Sequence, residues 1–545
     1  MIFAPILFLS LFITMALLPV FRRLAERARI VDIPNERKVH TRPTPKTGGL
    51  AMAVGFFVPV LLWLPLDRFV TAVLAGATIL VVEGFADDVL VLGYRPKLLA
   101  QASAALVVIL YGGVRISSLG VLAPGWEDLP LMVSLPLTLA AIVGITNAVN
   151  LADGLDGLAG GIALVSFLCV GFIARGVNDG TVLFLSLAML GAIFGFLSFN
   201  TYPASIFMGD AGSQFLGFLS IVLSLKLTQG HALLSPYLPL LITGLPLIDT
   251  VAVMSERMVS GRSLFVADNS HLHHKLLGAG LCHTEAVFAI YVIQSAFVLS
   301  AYVLRFHGDW LLLGVYLAIA APPALFAHEV FTRGVSFRRH GLVRAIKGTL
   351  RPLMDRSRIL SVSSFVLHTL LPTLLIVECF LVKEVPTPVS AGSAILAGVI
   401  VFLRLRDAGM AHGVVRTVLY LLTPFVLYLA RGQTGLPGGS GLDSALTAAY
   451  ALCVVAAIVT VRLDRRRNTF RGSPMDFLVV VIALCALPLL GAVMDMDRPG
   501  MFLTQNLIFF YTYEIMLNER RPVKNVVTTT TVGMLLIIVA KGVSL

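Results

Sequence analysis

Long apolar runs recur along this chain from end to end, and short segments that carry most of the charges separate them. The runs are about 16 to 22 residues long, a length that crosses the hydrocarbon core of a bilayer as an α-helix. They predict eleven membrane-spanning helices before residue 332 and about seven more after residue 359. We therefore expect an all-α, polytopic integral membrane protein with about 18 transmembrane helices.

The charged breaks give the boundaries of the predicted spans. The eleven N-terminal spans are placed at residues 1–21, 48–66, 69–86, 98–113, 130–147, 158–174, 181–199, 212–227, 233–253, 285–304 and 310–331. The later spans are placed at residues 360–382, 388–403, 414–430, 443–461, 475–494, 500–516 and 525–541. The first run lacks a basic leading segment and a small-residue cleavage site, so we interpret it as a span rather than a signal peptide.

The composition agrees with this class. Of the 545 residues, 57% are hydrophobic and 13% are charged, whereas about 45–50% and about 25% are usual in soluble domains. These proportions exclude a soluble enzyme, a disordered chain and a protein with a single membrane anchor. The five cysteines are scattered without a CxxC pair, so they predict small buried side chains and no disulfide scaffold.

Lysine and arginine outnumber aspartate and glutamate by 41 to 30, and their positions predict the topology. Eight of them lie between residues 22 and 46, and further groups occupy alternate loops, a pattern typical of cytoplasmic loops. We therefore place the N-terminus outside and expect an inner (cytoplasmic) membrane location. The basic segment 333–358 is interpreted as a cytoplasmic linker beside anionic lipid rather than a nucleic-acid site. It separates a core at 1–332 from a C-terminal membrane module at 359–545.

Four polar clusters lie at the ends of predicted spans, and the topology places all of them on the cytoplasmic face. The first is Asp87-Asp88, followed by Lys97. Adjacent carboxylates repel each other, so they need a cation, a proton or water. The second cluster steps by three residues, which puts its members on one face of a helical turn. Its members are Asn147, Asn150, Asp153 and Asp156.

The third cluster lies where a helix begins among glycines, a place that suits phosphate groups and, through a carboxylate, Mg²⁺. Its members are Asn200, Phe207 and Asp210. The fourth cluster contains three histidines in four residues, but no cysteine or fourth ligand lies nearby for zinc. Phosphate and nucleotide contacts therefore fit it better. Its members are Arg262, His271, His273 and His274.

Together the four clusters predict phosphoryl transfer. Carboxylates would bind Mg²⁺, with Mn²⁺ as an alternative, while cationic side chains and helix N-termini would bind phosphates. A site embedded in the membrane in this way implies that one substrate is a lipid.

The order of the motifs resembles that of the polyprenyl-phosphate N-acetylhexosamine-1-phosphate transferases (glycosyltransferase family 4). The shared segments are Pro34-Asn35-Glu36-Arg37-Lys38-Val39-His40, Pro45-Lys46-Thr47-Gly48-Gly49, Asp87-Asp88, Asn147 to Asp156, and Met208-Gly209-Asp210-Ala211-Gly212-Ser213. Enzymes of this family transfer a sugar-1-phosphate from a UDP-sugar to a lipid phosphate and release UMP. The resemblance implies a UDP-sugar donor, undecaprenyl phosphate as acceptor, and a role in starting a cell-envelope polysaccharide such as O-antigen.

The histidines distinguish two branches of that family. The branch that transfers phospho-MurNAc-pentapeptide for peptidoglycan carries three consecutive histidines, whereas Leu272 interrupts them here. The present pattern is similar to the branch that uses UDP-GlcNAc. GlcNAc-1-phosphate is therefore the expected group, while UDP-GalNAc and the pentapeptide donor stay open as alternatives.

The resemblance also implies a role for each matching residue. Asp210 is expected to bind Mg²⁺. Asp87 and Asp88 are expected to form a pair that supplies the base, with Asp88 as the second metal ligand. Nucleotide contacts are implied for Asn150, Asp153, Asp156, Asn200 and Phe207, with Asn147 and Arg262 as further substrate-binding residues. Phosphate contacts or closure of the site are implied for Lys46, Lys97, His271, His273 and His274.

Alternatives remain for the mechanism and for the class. Direct attack by the lipid phosphate is favoured, because the second pKa of a phosphate monoester is about 6, and a covalent aspartyl-phosphate is the alternative. A secondary transporter would place its acidic residues near mid-membrane, and an inactive scaffold would have lost its carboxylates. The module at 359–545 carries no motif, and we expect it to dock glycan-assembly partners or to make homodimer contacts.

Overall fold

The computed structural model describes residues 3–33, 43–122, 126, 128–261, 271–333, 356–406, 408–434, 441–463 and 521–543, with seven single positions between 505 and 516. The chain forms two compact units, Met1–Arg339 and His340–Leu545. Residues 334–355 of the predicted linker lie outside the described residues, as does the predicted span at 475–494.

The first unit contains thirteen helices in the ranges given above. They are α1 (Phe3–Ala28), α2 (Gly48–Trp63), α3 (Arg68–Leu90), α4 (Tyr94–Leu110), α5 (Leu131–Leu151), α6 (Leu158–Gly176), α7 (Gly180–Asn200), α8 (Gly209–Gly230), α9 (Leu238–Ile242), α10 (Gly244–Val259), α11 (Leu272–Gly278), α12 (His283–Val303) and α13 (Asp309–Arg333). Two short strands, β1 (Val31–Asp32) and β2 (Thr44–Pro45), pair antiparallel, with Asp32 opposite Thr44. The hydropathy pattern does not predict this hairpin, because it lies in the polar connection between α1 and α2.

The second unit is also helical in its described residues. Its helices are α14 (Arg356–Leu381), α15 (Thr387–Arg406), α16 (Ala408–Thr434), α17 (Gly441–Leu463) and α18 (Arg521–Val543). Across both units, nine of the described helices are long and apolar enough to cross a membrane. The chain is an all-α, multi-pass membrane protein, as the apolar runs predict.

Helix α8 lies at the centre of the first unit, and 94% of its most apolar 18-residue stretch is buried. Helices α2 and α3 cross its N-terminal end with their backbones in direct contact. A Cβ atom on Gly49 would lie 2.2 Å from Gly212 N, and one on Gly84 would lie 2.4 Å from Ala211 N. Only glycine permits such an approach. The crossing brings the C-terminal end of α3 next to Asp210.

The prediction of one continuous helix at 233–253 is wrong. The structure has two helices there, α9 and α10, separated at Thr243. Pro246 has no N–H to donate to the carbonyl of Ile242, four residues earlier. That carbonyl instead accepts a hydrogen bond from Gln294 Nε2 at 2.8 Å. Because the buried Gln294 side chain compensates for the break, an interrupted helix is stable in a segment whose hydropathy suggests none.

Candidate active site

A polar cavity of about 360 Å³ lies where the α5–α6 and α7–α8 connections meet the end of α3 and the start of α8. Nine of the predicted site residues line it: Lys46, Asp88, Asn150, Asp153, Asp156, Asn200, Phe207, Asp210 and His274. Three further side chains that were not predicted also line it: Asp32, Leu155 and Ser213. The structure thus brings residues from all four sequence clusters to one place.

Lys97, near the start of α4, joins carboxylates of two other helices. Its Nζ lies 2.8 Å from Asp87 Oδ2 on α3 and 2.5 Å from Asp210 Oδ2 on α8. Contacts of this kind between charged groups are shorter and stronger than neutral hydrogen bonds. The ammonium therefore compensates two carboxylates that would otherwise repel each other, and it connects the ends of three helices. We call these three residues the triad.

Asp88 points into the cavity beside the N-terminal end of α8. Its side chain is 2% exposed, its Oδ1 lies 3.9 Å from Lys46 Nζ, and its Oδ2 accepts from Ala211 N at 3.5 Å. The close approach requires a glycine at 209, where φ is +69° and a Cβ would lie 2.2 Å from Asp88 Oδ2. Asp88 and Asp210 therefore lie at the same helix end.

The hairpin supplies the other side of this corner. Asp32 Oδ1 lies 3.3 Å from Lys46 Nζ. Asp32 reaches the cavity because β1 pairs with β2 and places it opposite Thr44, two residues before Lys46. No motif marks Asp32 in the sequence. Only the pairing of two very short strands across residues 34–42 could have identified it.

The two loops that form the cavity wall are bound to each other through predicted residues. Asn200 Oδ1 accepts from Gly157 N at 2.9 Å, and Asn200 Nδ2 donates to Ile206 O at 2.9 Å. Asp156 Oδ2 accepts from Ala204 N at 2.8 Å. Asn200 and Asp156 thus shape the wall through backbone hydrogen bonds as well as lining it.

The neighbouring helix α5 contributes a further link. Asn150 Nδ2 donates to Ser213 Oγ on α8 at 2.8 Å. Phe207 lies in the wall, and its backbone N–H donates to Pro45 O at 2.7 Å, which ties the α7–α8 loop to the hairpin. Asn147 lies one helical turn before Asn150 and is not among the residues that line the cavity.

Acidic groups outnumber basic ones here. Seven carboxyl groups lie in the wall or directly beside it: Asp32, Glu83, Asp87, Asp88, Asp153, Asp156 and Asp210. Two lysines, Lys46 and Lys97, pair with them in the described structure. Burial raises the pKa of Asp153 to about 8, and the nearby carboxylate of Asp210 adds to the effect. Such a surplus of negative charge favours a bound cation.

The donors at the start of α8 fit magnesium. Mg²⁺ commonly takes one or two carboxylates from the protein and completes its octahedron with water and substrate phosphates. Asp88 and Asp210 are two such carboxylates, and both line the cavity. Within the described ranges, no three His, Cys, Asp or Glu side chains surround a single metal position. The donor set therefore suits a hard cation that the substrate helps to hold.

Helix α11 is attached to α10 through two acids that stand in none of the four polar clusters. Asp249 Oδ2 lies 2.9 Å from His271 Nδ1, and Asp249 Oδ1 accepts from Leu272 N at 2.7 Å. Two turns further along α10, Glu256 Oε1 accepts from Lys275 Nζ at 2.5 Å. The seven-residue spacing of the two acids could have indicated this contact from the sequence, since it places both on one face of α10.

Among the three histidines, His274 lines the cavity, whereas His271 and His273 do not. His273 packs on Gly154, where a Cβ would lie 2.1 Å from its Nε2. Burial lowers the pKa of His273 to about 3, so its ring is neutral at pH 7. Arg262 lies outside the described residues.

Comparison with known proteins adds the family. Residues 70–228 match the family described as glycosyl transferase family 4. The chain is also 36% identical over 336 residues to the "Probable undecaprenyl-phosphate N-acetylglucosaminyl 1-phosphate transferase" of Bacillus subtilis (strain 168), an alignment that covers 92% of that protein and 59% of this chain. This chain belongs to glycosyl transferase family 4.

Two further relatives agree with this assignment. The "Undecaprenyl-phosphate alpha-N-acetylglucosaminyl 1-phosphate transferase" of Escherichia coli (strain K12) is 33% identical over 323 residues, covering 57% of this chain and 86% of that protein. The "Decaprenyl-phosphate N-acetylglucosaminephosphotransferase" of Mycobacterium leprae (strain TN) is 35% identical over 301 residues, covering 49% and 75%. The segment that matches glycosyl transferase family 4 runs from α3 into α8, so it contains the whole triad, Asp88 and Asp153.

Proposed function

We propose that this chain transfers N-acetylglucosamine 1-phosphate from UDP-N-acetylglucosamine to a polyprenyl phosphate and releases UMP. The expected polyprenyl phosphate is undecaprenyl phosphate. The names of three relatives give the transferred N-acetylglucosamine 1-phosphate group and the polyprenyl phosphate acceptor. The observation that carries it to this chain is the cavity at the start of α8, where Asp88, Asp210 and Lys46 converge at the ends of membrane helices. A cavity in this place can meet a nucleotide from the water and a phosphate from the bilayer.

Substrate binding in this proposal uses the charges already described. Mg²⁺ held by Asp88 and Asp210 would neutralise the diphosphate, which the acidic cavity would otherwise repel. Lys46 and Lys97 compensate the charge of the neighbouring carboxylates and offer positive charge to the phosphates. Asn150 and Asp153 lie in the wall and provide polar contacts for the nucleotide.

The proposed chemistry is a direct displacement. An oxygen of the lipid phosphate attacks the β-phosphorus of the UDP-sugar and forms a new P–O bond. The bond from that phosphorus to the oxygen bridging the two phosphates breaks, and UMP leaves with that oxygen. A proton that remains on the lipid phosphate passes to the carboxylate of Asp87 or Asp88. The product is a polyprenyl diphosphate that carries the sugar.

A covalent aspartyl-phosphate intermediate is the alternative, and it has a distinct signature. Enzyme mixed with UDP-GlcNAc but without lipid would then release UMP in an amount equal to the enzyme. Direct displacement predicts no UMP release until the lipid phosphate is added.

The test uses the purified full-length chain in detergent micelles. UMP release should require polyprenyl phosphate, UDP-GlcNAc and Mg²⁺, and it should stop when EDTA is added. UDP-GalNAc and UDP-MurNAc-pentapeptide serve as competing donors in the same assay. Preferential turnover of the pentapeptide donor would overturn the assignment of the sugar. Failure to form any lipid-linked sugar by a well-folded protein would overturn the proposed function.

The cellular setting is part of the same proposal. The distribution of lysine and arginine supports an active site on the cytoplasmic face of the inner membrane. The product would be the first lipid-linked intermediate of a cell-envelope polysaccharide. The second unit would serve to dock other proteins of that assembly or to make dimer contacts.

A further inference from the structure

A second set of polar side chains lies one helical turn deeper than the triad. Each member is four residues from a triad residue on the same helix, which places the two on one face. The members are Glu83 on α3, Gln101 on α4 and Gln214 on α8. Since α3 ends at the cavity while α4 and α8 begin there, all three positions lie on the side of the triad that faces the membrane interior.

The three side chains form one hydrogen-bonded chain. Gln214 Nε2 donates to Glu83 Oε2 at 3.0 Å, and Gln101 Nε2 donates to Gln214 Oε1 at 3.0 Å. Gln214 is completely buried, and Gln101 is 2% exposed. These hydrogen bonds therefore connect, in a buried layer, the same three helices that Lys97 connects at the cavity.

Stability does not account for this layer. Glu83 Oε1 and Gln101 Oε1 are buried and have no hydrogen-bond partner among the described residues. A polar network that is only partly satisfied is usually less stabilising than apolar side chains of the same volume. Polar residues at apolar interfaces between helices are known to specify the register of those helices at a cost in stability.

We propose that Glu83, Gln101 and Gln214 are positioning residues, which set the rotation and axial register of α3, α4 and α8 and thereby hold the triad in its reactive geometry. Each link has a defined donor and acceptor, so only one alignment of the three helices satisfies both hydrogen bonds. An apolar layer would let the helices slide relative to one another. This proposal rests on the proposed function, because it concerns the geometry in which that transfer takes place.

The test compares two replacements of Glu83 in the full-length chain. Glu83→Gln keeps an oxygen that accepts from Gln214, whereas Glu83→Met keeps the length of the side chain and removes the acceptor. We expect Glu83→Met to lower kcat about tenfold or more, since a 1 Å misplacement of reacting groups can cost about 100-fold. The KM for UDP-GlcNAc should change less than about twofold. The Tm should fall only modestly, because the buried Gln214 Nε2 loses its acceptor while the rest of the fold is kept. Glu83→Gln should keep at least about half of the wild-type kcat.

The matched control is Glu378→Met in the second unit. Glu378 on α14 is a completely buried glutamate whose carboxylate, like that of Glu83, accepts a side-chain hydrogen bond, here from Tyr450 Oη at 2.9 Å. Its replacement should leave kcat unchanged, which shows that loss of a buried glutamate does not by itself affect transfer. Gln101→Met repeats the test at the other end of the layer and should also lower kcat, with a similarly modest fall in Tm because Gln214 Oε1 loses its donor.

Two results would overturn the proposal. One is a wild-type kcat for well-folded Glu83→Met and Gln101→Met. The other is an equal loss for Glu83→Gln and Glu83→Met, which would mean that the charge of Glu83 matters rather than its hydrogen bond. An inactive wild-type protein would instead contradict the proposed function, so the two failures are distinguishable.

Discussion

Replacing Lys97 by methionine would remove the ammonium of the triad and keep the length of the side chain. The ammonium lies 2.8 Å from Asp87 Oδ2 and 2.5 Å from Asp210 Oδ2, and these two side chains are 11% and 27% exposed. Breaking a buried ion pair costs about 3–5 kcal/mol, whereas an exposed pair contributes about 0–1 kcal/mol. Because Lys97 is itself 28% exposed, we expect a loss between these limits, about 2 kcal/mol in the free energy of unfolding.

Transfer should fall further than stability. Removing one group that stabilises charge in the transition state commonly lowers kcat about 10²- to 10³-fold. The assay is UMP release by the purified chain, with the Tm measured in the same detergent. Lys226→Met is the matched control, because this lysine lies on α8 with its ammonium 5.0 Å from the centre of the Phe69 ring, away from the triad.

A double variant should separate the loss of stability from the loss of transfer. Asp210→Asn removes one of the two carboxylates that repel each other once Lys97 is gone. The Tm lost in Lys97→Met should therefore be partly recovered in Lys97→Met with Asp210→Asn, while transfer stays low. A well-folded Lys97→Met protein with kcat within a few-fold of wild type would refute the reasoning.

Four further outcomes are expected. Asp210→Asn should abolish transfer without unfolding the chain, which activity and Tm measured together will check. Asp87→Asn and Asp88→Asn should each lower kcat by orders of magnitude, and additive losses in the double variant would show that they do not share a site. The raised pKa of Asp153 means that the folded state holds an extra proton between about pH 4 and 8, so its stability falls as pH rises through that window. In EDTA, Asp153→Asn should lack this fall and have the higher Tm at pH 8. A chain that ends at Arg339 should insert and transfer sugar phosphate in vitro, and a folded but inactive product would show that the second unit completes the site.

Much of the fold could be predicted, because each membrane helix is determined mainly by the residues of its own segment. Apolar length and the position of basic residues act within single segments, and the helices at α5 to α8 begin and end within a few residues of their predicted limits. The break at Thr243 was missed because its cause is distant. The Gln294 side chain that compensates for Pro246 lies about fifty residues further along the chain, and hydropathy carries no information about that contact.

The same distinction separates the parts of the site that were predicted from those that were not. Asp88, Asp153 and Asp210 stand in short motifs whose residue types already suggest metal and phosphate, so local pattern was enough. Asp32 and Asp249 stand in no such pattern, and they act only because a two-residue strand and a helix turn bring them to Lys46 and His271. Glu83 is even harder to predict from the sequence, since a glutamate within an apolar run has no local pattern that suggests a function. It gains a role only when the crossing of α3 and α8 sets it against Gln214, and that crossing depends on glycines that allow the two backbones to touch.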